Sequence, residues 1–128
     1  MTSRTAFTTA PAHGAKPTVR HHFDGRSPAV QDIYARIVSA ARAVAPVREE
    51  PKKTSIHLVR KSAFAGIATR KDALILTVKS AGDIRSPRII KREQASAHRW
   101  HLEIRLDDPA QVDDELRSWL TAAMRLSE

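Results

Sequence analysis

The stretch Lys52–Val78, KKTSIHLVRKSAFAGIATRKDALILTV, reads as three short strands joined by tight basic turns. Strands are expected over residues 54–60, 63–69 and 73–79, separated by Lys61-Ser62 and by Arg70-Lys71-Asp72. Links this short require antiparallel hairpins. His57 falls between Ile56 and Leu58, so on an alternating strand it projects to the face opposite them, with Ser55 and Val59. A further strand is legible in HRWHLEIRL, His98–Leu106. There Trp100, Leu102, Ile104 and Leu106 point one way while Arg99, His101, Glu103 and Arg105 point the other. The strands outline a sheet with one apolar face and one face bearing histidine, arginine and hydroxyl groups.

Helical signals bracket these strands. Ser27 followed by Pro28 is a helix start, with the hydroxyl expected to cap free amides and proline at the first position. Val30, Ile33, Tyr34, Ile37, Ala41 and Val44 recur at three- and four-residue steps, and Pro46 ends the run. Arg48–Lys53, REEPKK, reads as a polar linker. Residues 80–97 read mostly as loop, around Gly82, Asp83, Ser86 and Pro87, with Arg88–Arg92 as a candidate short edge strand. Asp108, Pro109 and Gln111 form a capping-box start for a last helix whose apolar stripe is Val112, Leu116, Trp119, Leu120 and Ala123. The fold class expected is α+β: an antiparallel four- or five-stranded sheet with N-terminal and C-terminal helices packed on it. Residues 1–18 are expected to be a flexible basic tail, and residues 19–128 one domain.

Composition narrows the function classes. With 41% hydrophobic and 28% charged residues over 128 positions, the chain has globular composition. It contains no cysteine, which excludes disulfides, thiolate metal sites and a cysteine nucleophile. No run approaches the ~18 apolar residues of a membrane span, so a soluble, cytoplasmic protein is expected. The net charge of +8 is uneven: residues 48–105 hold fourteen Lys and Arg against six acids, and residues 106–128 hold two against six. Such a field favours anionic partners.

Paired imidazoles near arginines suit the recognition of a phosphate or carboxylate, or acid–base work upon one. The candidate ligand-binding residues are therefore Lys53, Ser55, His57, Arg60, Arg99 and His101. Phe64 is expected to pack in the core, with walling that site as its alternative role. Paired H-x-[Ser/Thr]-x phosphoesterases offer a comparison, but His57-Leu58-Val59 and His101-Leu102-Glu103 both lack the hydroxyl residue two positions on. No metal site is expected, because His98 and His101 are three apart on a strand and point to opposite faces. Phosphate-binding loops, dinucleotide glycine patterns and nucleophile elbows are absent. Basic turns favour nucleic acid, yet the aromatic platform of single-strand binders is missing and the last helix is acidic.

Four blocks, HHFDGRSP, EEPKKTSIHLVRKSAFAGIATRK, SAHRWHLEIRL and VDDELRSWLTAAM, resemble in order the small bacterial family known as domain of unknown function 5655. The resemblance runs from about Val19 to Leu126. It implies an α+β domain with no established activity, sometimes described as related to predicted transport proteins, and it supplies no catalytic residues. The expected function is a non-enzymatic module, without cofactor, that binds an anionic small molecule or acidic protein partner on the histidine-bearing face. The alternatives are nucleic-acid binding and an enzyme acting on a phosphate-containing substrate through His57 and His101.

Overall fold

The computed structural model describes residues 16–128. Most of the tail expected over residues 1–18 thus lies outside the described residues. A 3-10 turn, Arg20–Phe23, is followed by helix α1, Pro28–Arg42. Six strands come next: β1 Arg48–Pro51, β2 Ile56–Val59, β3 Ala63–Thr69, β4 Leu74–Ser80, β5 Ile89–Ser96 and β6 Arg99–Leu106. A 3-10 turn at Pro109–Gln111 then leads into helix α2, Asp114–Arg125. The strands form one antiparallel sheet in the order β1-β2-β3-β4-β6-β5.

The sheet therefore has six strands, not four or five: β1 is the unexpected one, and the candidate edge strand at residues 88–92 is present as the longer β5. The supposed linker contains β1, whose Arg48 to Pro51 pair with Val59 to Ile56. Its half-exposed charges and terminal proline are what an unshared edge tolerates, and they hide the strand from any hydrophobic period. At the other edge β5 extends to Ser96, well past Arg92, and only Ile89 of its eight residues is buried. Ile90 and Ala95 fall where its register against β6 shifts, so two bulges further disturb the alternation.

Both helices cover the apolar face. Val30, Ile33, Tyr34, Ile37 and Ala41 of α1 and Leu116, Trp119, Leu120 and Ala123 of α2 join Leu74, Leu76, Val78, Leu102 and Ile104 in one core. Each such large aliphatic side chain contributes about 1.5–3 kcal/mol on leaving water. Val44 lies beyond the end of α1 and is 51% exposed. Phe64 is core, 1% exposed, at the bulge where Leu58 pairs Ala65 but Val59 pairs Ala63.

The caps differ in detail from expectation. Ser27 makes no side-chain cap bond, although Pro28 does open α1. The Asp108–Gln111 capping box forms, but it closes the 3-10 turn, and α2 starts later with Asp113 accepting from the Leu116 amide at 3.0 Å. Arg88, at the end of the loop from β4 to β5, locks onto this start. Its guanidinium donates to Asp113 and Glu115 at 3.0 Å and to the Gln111 carbonyl at 2.7 Å, and lies over the Trp119 ring. The other end of α2 is tied to the β2–β3 turn, where the Lys61 amide donates to the Ser127 carbonyl at 3.1 Å.

Candidate functional site

No helix among the described residues packs on the opposite face of the sheet. Along its middle runs one row of register partners: Glu50 on β1, His57 on β2, Gly66 on β3, Thr77 on β4 and Glu103 on β6. One step along, Lys79 on β4 pairs His101 on β6, which pairs Glu93 on β5. Since partners across a ladder share a face, all these side chains stand on the open side. Gly66 leaves a gap in the row, and around it lies a hollow of about 330 Å³.

The polar rim of that hollow is Ser55, His57, Thr77, Lys79 and His101, while Ala63, Phe64 and Ala68 give it apolar carbon. Lys79 is held at one end, its ammonium donating to the Ser62 hydroxyl at 3.3 Å and to the Ser127 hydroxyl at 3.5 Å. His57 and His101 border the same hollow but belong to strands separated by β3 and β4. At ~4.8 Å per strand spacing, and with His101 two residues along from the row of His57, their Cα atoms stand on the order of 16 Å apart. That is the width of a small molecule between two walls rather than of one shared proton. The adjacent-strand arrangement of the two-histidine phosphoesterases is thus not the arrangement here.

Three of the six expected site residues meet at the hollow: Ser55, His57 and His101. The other three do not border it. Lys53 is exposed in the β1–β2 turn. Arg60 reaches the far end of α2, donating to the Met124 carbonyl at 3.3 Å and lying 3.8 Å from the Glu128 carboxylate. A cation there complements the negative end of the helix dipole, a structural task. Arg99 shares the parity of His101 but donates to the His98 carbonyl at 2.7 Å, at the β5–β6 turn. Gly66, Thr77 and Lys79 were not anticipated. Thr77 and Lys79 alternate against Leu74, Leu76 and Val78, so the same period-two reading that found His57 also reaches them.

Much of the basic charge is already engaged. Of the turn cations that favour nucleic acid, Arg88 pairs with Asp113 and Glu115, Arg92 with Asp83 at 2.8 Å, Lys91 with Glu103 at 4.0 Å, and Lys52 with Glu50 at 3.5 Å. Lys53, Lys61 and Lys71 are exposed at sheet ends. Among the described residues no three His, Cys, Asp or Glu side chains cluster as a metal site. No helix among them is long and apolar enough to cross a membrane.

Residues 19–127 match the family described as Domain of unknown function (DUF5655). The chain belongs to this family. Neither the curated proteins nor the solved structures gave a match. The DUF5655 match begins just before the first 3-10 turn and ends at Ser127, the residue that stitches α2 to the β2–β3 turn.

A second polar cluster in this DUF5655 domain is structural. The Tyr34 hydroxyl donates to Glu49 Oε1 at 2.5 Å, and Arg42 lies 3.4 Å from the other oxygen of that carboxylate. Burial first, and the bond to Glu49 second, push the Tyr34 phenol far above the usual tyrosine range. This bond ties β1 to α1. Thr69 plays a similar part for the 3-10 turn, donating to the His22 carbonyl at 2.6 Å and accepting from Arg26 at 3.1 Å.

Proposed function

We propose that the domain is a non-enzymatic module that binds a small anionic molecule on the open face of its sheet, in the hollow around Gly66. One observation carries the reading: a single hollow is bordered at once by two imidazoles, one ammonium and two hydroxyls. Each of these groups can donate a hydrogen bond to a carboxylate or phosphate oxygen. The flanking strands add a constraint, because Glu50 stands opposite His57 and Glu93 opposite His101 in register. These carboxylates repel an anion on the outer sides, while the charge of Glu103, beside Thr77 on the same face, is offset by the Lys91 ammonium 4.0 Å away, which favours the space between the histidines. The width between the imidazoles supports binding over acid–base chemistry on one atom.

Titration with acetate or inorganic phosphate at low salt should move the imidazole resonances of His57 and His101 together. The affinity should fall as added salt screens the charges. The double variant His57→Gln and His101→Gln should lose the response while its backbone amide spectrum stays dispersed. Shifts confined to the turns at Lys61 and Lys71, with both imidazoles unmoved, would sink the reading and locate the anion-binding surface at the sheet ends.

A further inference from the structure

Gly66 occupies the centre of a strand, where a glycine needs a reason. Its backbone supplies none, since the one glycine with positive φ among the described residues is Gly25. Crowding supplies none either: a Cβ added at Gly66 would meet only Thr77 Cβ, at 4.0 Å, an ordinary contact. A side chain would thus fit the fold, and strand interiors pack better with one. What it would occupy is the hollow, because Gly66 lies between His57 and Thr77 in the register. Ala68, two residues on, is likewise small, and the buried residues Ala65 and Ile67, whose side chains belong to the core, border the hollow through main chain. The floor is accordingly a strip of peptide backbone about one strand wide, with donors at the two sides and carbon beneath.

We infer that Gly66 selects the ligand, and that the class selected is a flat, conjugated organic anion: an aromatic or heteroaromatic carboxylate laid face-down on β3 with its charged end toward His101 and Lys79 and its ring toward His57. This rests on the anion-binding reading above and sharpens it. A compact inorganic ion would leave the apolar floor unused, whereas a ring covers that carbon and spans part of the distance between the two walls. At about 330 Å³ the hollow stands at the lower end of the ~300–1,000 Å³ typical of small-molecule sites, which suits one ring rather than an extended molecule.

The test compares benzoate with acetate, probes of equal charge, on the full chain. In the unsubstituted protein, benzoate should bind at least about fivefold more tightly than acetate, both read from the His57 and His101 resonances. Gly66→Val should weaken benzoate about tenfold or more while acetate changes less than about twofold. The melting temperature of that variant should stay level or rise. Should the valine disturb the sheet, Gly66→Ala supplies the same comparison with a single methyl, and a smaller loss of benzoate binding is expected. Equal binding of the two anions, or benzoate binding unaffected by Gly66→Ala and Gly66→Val, would overturn the role of Gly66 while leaving anion binding standing. Failure of both anions to move either imidazole in the unsubstituted protein would overturn both readings together.

Discussion

Tyr34 is the chain's one tyrosine, so its ionisation can be followed without ambiguity. A phenol whose pKa is higher folded than unfolded contributes stability that is fully present below the unfolded value, about 10, and is lost as pH rises beyond it. Phenolate absorbance should therefore be missing from the folded protein just above pH ~10 and emerge together with loss of helical signal at higher pH. Normal titration near pH 10 with the fold intact would show that Tyr34 is not held by Glu49. At this same scale the sequence shows its reach and its limit. Alternation around Ile56 and Leu58 places His57 correctly, and alternation around Leu102 places His101. Arg60 and Lys53 escape it, because at a strand end the direction of a long side chain is set by the nearest partner. For Arg60 that partner is the end of α2, more than sixty residues away in sequence.

Helix α2 is where element-scale reasoning is most exposed to test. Its stripe faces β3 and β4, and Trp119 is 8% exposed with the Arg88 guanidinium over its ring. Trp119→Ala should cost about 3–5 kcal/mol in denaturant unfolding, as large-to-small core changes do. A loss below ~1 kcal/mol would mean that the helix does not dock through this side chain. Periodicity reveals both helices and the four inner strands because each has one wet and one dry side. It conceals β1 and the far half of β5 for the same reason: β1 has no fully buried residue and β5 has one, Ile89, so neither edge has a dry side to mark it, although the near half of β5 is legible as the candidate strand at residues 88–92. The start of α2 was misplaced because two acceptors, Asp108 and Asp113, both cap amides, and local sequence does not say which one begins the longer helix.

At the scale of the whole molecule, the domain is a two-layer assembly that devotes one sheet face to its core and leaves the other uncovered by any helix among the described residues. That asymmetry gives the site its character. The hollow is built from side chains of β2, β4 and β6 over β3, whose main chain Gly66 leaves bare, so its shape depends on register across four strands. The most direct measurement is a set of intermolecular NOEs between benzoate and the protein with its methyl, Gly66 Hα and imidazole protons assigned. The account predicts that the ring protons show NOEs to the Gly66 Hα protons and the Thr77 methyl, and that at least one imidazole lies within NOE range. NOEs confined to the turns at Lys61 and Lys71, or none to Gly66 while the imidazoles respond, would contradict it.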